Sequence, residues 1–111
     1  MSTHNNFDYI NHMLDSIRKV KEFIAKMTFE EFSKNEMAQS AVAREFTVIG
    51  EAANSMDSSF KEKYSNIPWH LAVGMRNQLI HEYFDVDLKI VWNTVKQDLP
   101  NLQRKLTKII K

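Results

Sequence analysis

The sequence contains no cysteine and only two glycines and two prolines among its 111 residues. Without cysteine, neither a disulfide nor a thiolate metal site can form. The scarcity of glycine and proline leaves little room for tight hairpins or a glycine-rich phosphate loop, which favours helices. No apolar run approaches the length of a membrane span, and the amino terminus lacks a signal-peptide pattern. We therefore expect a cytoplasmic protein that does not contact a membrane.

The sequence also lacks an excess of either charge. Fifteen lysines and arginines face 14 aspartates and glutamates, which gives a net charge of +1. An overall field that attracts polyanions is therefore excluded, and any contact with nucleic acid requires a local cluster of cations. The hydrophobic content of 43% is typical of a globular protein, and the length suits one modest core. We expect a single domain over residues 1–111.

Hydrophobic residues recur at three- and four-residue steps in four long segments, which predicts four long helices. A short helical turn at TFEE separates the first two of them. Residues 56–68 are polar and aperiodic, which predicts a loop. The predicted fold is all-α: an antiparallel up-and-down bundle of four long helices plus one short helical turn. The apolar stripe of the first long helix consists of Phe7, Ile10, Leu14, Ile17, Val20, Ile24 and Met27. That of the second consists of Val42, Phe46, Ile49, Ala53 and Met56. That of the last consists of Leu88, Trp92, Val95, Leu99, Leu102, Leu106 and Ile109.

Helix boundaries are indicated by capping residues. The predicted caps are Asn6, Thr28, Ser33 and Asp87, and Thr28 and Ser33 are each followed three residues later by a glutamate. Pro68 suits the first turn of the third long helix. In the last helix Pro100 removes a backbone donor, so we expect a kink near its middle.

The stretch RNQLIHEYF, residues 76–84, places polar groups in an apolar neighbourhood. On an ideal helix Arg76 falls in the middle of an apolar side, and an unpaired guanidinium there is costly. One interpretation is a structural salt bridge to a carboxylate of a neighbouring helix, such as Glu45. The other is a cation that grips a phosphate. The apolar side consists of Trp69, Ala72, Val73, Leu79, Ile80 and Tyr83.

A second face of this helix carries His70, Gly74, Asn77 and His81. Asn77 and His81 are four residues apart and can touch. Gly74 costs roughly 1 kcal/mol of helix stability relative to alanine, which makes sense if another backbone approaches closely. These side chains and Asp85 do not have a recognised metal-ligand spacing, so we expect no metal and no cofactor.

Histidine and arginine together suit metal-free cleavage of RNA. The reaction needs a base for the ribose 2′-hydroxyl, an acid for the leaving 5′-oxygen and a cation over the phosphorane. Histidine transfers protons near neutral pH, and arginine binds phosphate with two parallel hydrogen bonds. One helix offers one suitable histidine and one arginine, whereas a two-fold dimer offers two of each.

These residues fit the Arg-x4-His-x-Tyr motif, and the chain resembles a HEPN domain of the HepT-like toxin family. VIGEAANSM in residues 48–56 and VWNTVKQDLPNL in residues 91–102 extend the resemblance over most of the chain. It implies a homodimer with a composite site at its interface, and a metal-independent endoribonuclease that acts as a toxin. It also implies a minimal nucleotidyltransferase, encoded as a separate chain, that serves as the antitoxin and adenylylates the motif tyrosine.

Carried over by the resemblance, Arg76 and His81 are catalytic, Asn77 is their polar companion and Tyr83 is the adenylylated residue. Arg44 and Glu51, seven apart on one helical face, would support the site at its rim or at a dimer contact, or belong to a solvated face. Two alternatives stay open beside the ribonuclease. One is a non-catalytic helical dimer that binds a nucleotidyltransferase or a nucleotide, and the other is a purely structural bundle.

Overall fold

The computed structural model describes residues 5–80 and 87–110, without the side chains of 77–80, and every regular element in these ranges is helical. The predicted all-α fold is confirmed. The elements are α1 (Asn6–Ile24), α2 (Phe29–Ser33), α3 (Glu36–Ser55), α4 (Ser58–Lys63), α5 (Trp69–Ile80), α6 (Leu88–Asn93), a π-helical turn (Thr94–Asp98) and α7 (Leu99–Ile110). Within these ranges, no helix is both long and apolar enough to cross a bilayer.

Helix α3 is the centre of the bundle because it packs against both α1 and α5. Helix α7 lies against α1, and the short α2 contacts α3 and α6. The apolar stripe predicted for α3 is buried along its whole length. Phe7 departs from the prediction for α1: it is 48% exposed at the start of the helix, where its ring meets the edge of Phe60 at a centroid distance of 5.7 Å.

Two of the four predicted caps are confirmed. The Thr28 hydroxyl accepts from the Glu31 N–H at 3.1 Å, and the Glu31 carboxylate accepts from the Thr28 N–H at 2.9 Å. The Asp87 carboxylate accepts from the N–H groups of Lys89 and Ile90. Each cap satisfies N–H groups that have no partner within their own helix.

The other two predicted caps are wrong by one or two residues. Helix α1 is capped by Asn5, whose side chain accepts from the Asp8 N–H at 3.0 Å. Asn6 is the first helical residue, and its amide instead exchanges two hydrogen bonds with Asp57. Helix α3 is capped by Asn35, whereas Ser33 ends α2. The polar stretch predicted as a loop also contains α4.

Near Pro100, where the sequence predicts a kink, the helical segment contains a π-helical turn over Thr94–Asp98, immediately before α7. Proline has no N–H to donate to the carbonyl four residues earlier. The Leu99 N–H donates to the Thr94 carbonyl, five residues back, so the chain continues as a helix into α7. Pro68 lies one residue before α5, where its carbonyl accepts from the Ala72 N–H at 3.2 Å.

Candidate functional site

The candidate site begins where α5 crosses α3, and the crossing depends on Gly50. Gly50 is buried in α3 against the backbone of α5. A Cβ atom at this position would overlap the Arg76 Cβ and lie 3.1 Å from the Arg76 nitrogen and 3.3 Å from the Ala72 carbonyl oxygen. Because glycine has no side chain, the two helix backbones can approach this closely. This close packing fixes the backbone of Arg76 against α3.

The adjacent residue of α3 positions the Arg76 guanidinium. Arg76 Nη1 lies 3.2 Å from Glu51 Oε1, and the Arg76 side chain is 24% exposed while that of Glu51 is 57% exposed. Charge interactions are stronger where water is partly excluded. The arrangement holds a partly shielded cation next to solvent, where an anion could reach it.

The sequence suggested Glu45 as the salt-bridge partner of Arg76, and the structure gives that carboxylate a different one. Glu45 is only 3% exposed, and its Oε2 lies 3.0 Å from the Nη1 of Arg44, its neighbour in the chain. The general form of the interpretation is right, because Arg76 does pair with a carboxylate of the neighbouring helix. The predicted partner, however, is six residues away from the carboxylate that Arg76 contacts, which is Glu51.

Arg44 and Glu51 therefore belong to two separate ion pairs. Arg44 is 73% exposed and partners the buried Glu45, whereas Glu51 holds Arg76. Glu51 contacts a motif residue directly, whereas Arg44 lies about two turns earlier in α3. Their predicted supporting roles in catalysis stay predictions.

Gly74 does not have the role expected from the sequence within the described chain. No atom would lie within 4 Å of a Cβ added there, whereas the close approach of two backbones occurs at Gly50. A helical-wheel projection of one helix cannot tell whether a glycine faces a neighbouring helix. A signal for Gly50 was present in the stretch VIGEAANSM, because Gly50 directly follows the apolar Ile49 and precedes the small residues Ala52 and Ala53.

The structure describes less of the other motif residues. Asn77 lies in α5, one residue after Arg76, and its side chain is outside the description. His81 and Tyr83 lie outside the described residues, so their assigned roles stay predictions. In residues 5–80 and 87–110, no cluster of three or more His, Asp or Glu side chains could hold a metal ion.

The helical fold and this site define a class: small all-α domains whose sequence carries an Arg-x4-His-x-Tyr motif that begins with an arginine in a bundle helix. A model of the family described as Ribonuclease HepT-like matches residues 13–109. The chain belongs to the HepT-like ribonuclease family.

Named relatives agree with this assignment. "Probable ribonuclease HepT" of Thermococcus cleftensis is 38% identical, with 94% of each chain covered. "Putative RNase TTE0752" of Caldanaerobacter subterraneus is 35% identical over 92% of this chain and 91% of that relative. "Gamma-glutamylcyclotransferase and putative RNase MJ0434" of Methanocaldococcus jannaschii is 40% identical over 92% of this chain, which spans only 46% of that longer relative. No solved structure matches the chain significantly.

Proposed function

We propose that this chain is a metal-independent endoribonuclease that acts as the toxin of a toxin–antitoxin pair. The observation that carries the proposal is the position of Arg76, which is partly shielded at the α3–α5 crossing and held by Glu51 at 3.2 Å. Membership of the HepT-like ribonuclease family supports the same activity. In this proposal the ion pair with Glu51 positions the guanidinium that binds the scissile phosphate.

The reaction proceeds by attack of a ribose 2′-oxygen on the adjacent phosphorus. His81 of one copy accepts the proton of the 2′-hydroxyl as the new P–O bond forms. The bond from phosphorus to the 5′-oxygen breaks, and the protonated His81 of the second copy donates a proton to that oxygen. Arg76 stabilises the charge that develops on the phosphorane oxygens. A homodimer supplies both histidines, since a two-fold interface repeats every residue.

Regulation in this proposal uses Tyr83, two residues after His81. A partner nucleotidyltransferase transfers AMP from ATP to the tyrosine oxygen and releases pyrophosphate. The attached phosphodiester adds bulk and negative charge beside the residues that must bind an RNA phosphate. An adenylylated dimer is therefore expected to bind and cleave RNA poorly.

The test compares RNA cleavage by the wild-type chain and by His81→Ala in the presence of EDTA. His70→Ala is the matched control, because His70 is an exposed histidine of α5 outside the motif. We expect wild type and the control to cleave RNA equally, and the cleavage rate of His81→Ala to fall by about 10²- to 10⁴-fold. Intact mass, measured on the same samples, reports any adenylyl group on Tyr83.

The outcomes separate the alternatives. An inactive wild type that carries added mass in multiples of an adenylyl group is the silenced form, which phosphodiesterase treatment should reactivate. An inactive wild type of unmodified mass contradicts the nuclease proposal and leaves the non-catalytic helical dimer. Cleavage that EDTA abolishes contradicts the metal-free mechanism.

A further inference from the structure

The carboxyl-terminal helical segment, residues 88–110, contains five cations and a single carboxylate, Asp98. None of the five forms an ion pair with a described residue. Elsewhere on the described surface many cations have carboxylate partners; for example, the Arg18 guanidinium hydrogen-bonds Asp15 and lowers the pKa of that carboxyl. The five unpaired cations are Lys89, Lys96, Arg104, Lys105 and Lys108.

Two of these cations are held over aromatic rings. Lys89 Nζ lies 4.5 Å from the centroid of the Phe29 ring, and Lys96 Nζ lies 5.0 Å from that of Trp92. The two rings adjoin each other, with centroids 6.0 Å apart. Cation–π contacts fix an ammonium group without neutralising its charge. Lys89 and Lys96 therefore form a preorganised positive site on the surface of α2 and α6.

The carboxylates next to Phe29 have other partners. Glu30 Oε1 lies 3.3 Å from Lys34 Nζ, and the Glu31 carboxylate caps α2 by accepting from the Thr28 N–H. Neither is paired with Lys89 or Lys96.

Two more of the cations lie further along the same helical segment. Arg104 and Lys108, one helical turn apart, are exposed and line an open groove of about 540 Å³ together with Pro100, Gln103 and Thr107. Lys105 is different because it is half-buried and donates to the Asn66 carbonyl at 3.1 Å. It therefore has a structural role.

We propose that Lys89, Lys96, Arg104 and Lys108 form a basic track that binds the phosphate backbone of the RNA. This inference rests on the proposed ribonuclease function. At 1.5 Å per residue the basic track spans roughly 28 Å along this helical segment. It begins with Lys89, eight positions after His81 in the sequence. The basic track supplies the local cluster that a chain of net charge +1 needs to bind a polyanion.

The basic track makes a quantitative prediction for RNA binding. Binding of a fluorescent single-stranded RNA is measured at several salt concentrations, in the His81→Ala background to prevent cleavage. The track variant carries Lys89→Gln, Lys96→Gln, Arg104→Gln and Lys108→Gln, whose exposed side chains can be replaced without opening the core. We expect at least a tenfold weaker affinity, and a slope of log affinity against log salt that is shallower by about 2 to 3, at about 0.7 per lost phosphate contact.

A control variant removes the same number of positive charges elsewhere: Arg18→Gln, Lys19→Gln, Lys26→Gln and Lys63→Gln. It has the same net charge as the track variant, so a general field effect would weaken binding equally in both. We expect the control to keep the wild-type salt slope. Circular dichroism checks that each variant is folded, and the single track substitutions, each expected to reduce the slope by about 0.7, replace the fourfold variant if it unfolds.

Cleavage of a dinucleoside monophosphate separates this inference from the proposed function, because such a substrate is too short to occupy the basic track. With His81 restored, we expect the track variant to cleave it at the wild-type rate and to cleave a long RNA more slowly. An unchanged affinity and salt slope in the track variant would overturn the inference and leave the nuclease proposal standing. Loss of RNA binding in the track variant, together with an inactive wild type of unmodified mass, would overturn the nuclease proposal and leave the basic track as an RNA-binding surface. If the chain without track substitutions binds no RNA, the basic track is refuted.

Discussion

The two glycines of this protein lie within helices, yet they have different surroundings. Gly50 of α3 lies against the backbone of α5 at Arg76, whereas a Cβ added at Gly74 of α5 would meet no atom within 4 Å. Each glycine lowers helix stability by roughly 1 kcal/mol relative to alanine. At Gly50 the missing side chain allows the helix crossing that holds Arg76. At Gly74 no contact within the described chain offsets the cost.

The largest effect is expected for Gly50→Ala. Alanine has the better helix propensity, but its Cβ would overlap the Arg76 Cβ and force α3 and α5 apart. We expect the free energy of unfolding to fall by about 1–3 kcal/mol, the usual range for overpacking in a core. Urea denaturation followed by circular dichroism measures it. An unchanged stability would show that the crossing can open without loss.

A smaller effect of opposite sign is expected for Gly74→Ala, the matched substitution. Because the added methyl group meets nothing in the described chain, the gain in helix propensity should remain. We expect the free energy of unfolding to rise by about 1 kcal/mol. The denaturation is run at a low and a high protein concentration. A loss of stability confined to the high concentration would mean that a second copy packs against Gly74.

The smallest effect on stability is expected for Glu51→Gln, which removes the charge that pairs with Arg76. Glu51 is 57% exposed, and exposed ion pairs contribute only about 0.2–1 kcal/mol. We expect thermal unfolding to change little while RNA cleavage becomes slower, since the guanidinium loses its orientation. Equal cleavage by Glu51→Gln and wild type would show that Glu51 does not position Arg76.

Local features of the fold could be predicted from the sequence because the interacting groups are close in the chain. Thr28 and Glu31 are three residues apart, and their capping box is present as predicted. The apolar stripe of α3 follows from helical period and is buried. The caps of α1 and α3 show the limit, since Asn5 and Asn6 offer the same chemistry and Asn35 competes with Ser33, another good capping residue.

Contacts between helices could not be predicted in the same way. The pairing of Arg76 with Glu51, and not with Glu45, depends on how far α5 slides along α3. Gly50 sets that position, and only the assembled bundle shows which small residues meet a neighbouring helix. The motif itself was recognisable from the sequence, and the family it indicated is confirmed. The roles of His81 and Tyr83 remain predictions.

The central claim is that Arg76, fixed at the α3–α5 crossing, binds the RNA phosphate during cleavage. The most direct measurement is kcat/KM for RNA cleavage by the wild type and by Arg76→Lys, with stability measured on the same preparations. Lysine keeps the charge and lacks the planar pair of donors that matches a phosphate. We predict that kcat/KM falls by about 10²-fold while the variant stays folded. Cleavage at the wild-type rate by folded Arg76→Lys would contradict the account.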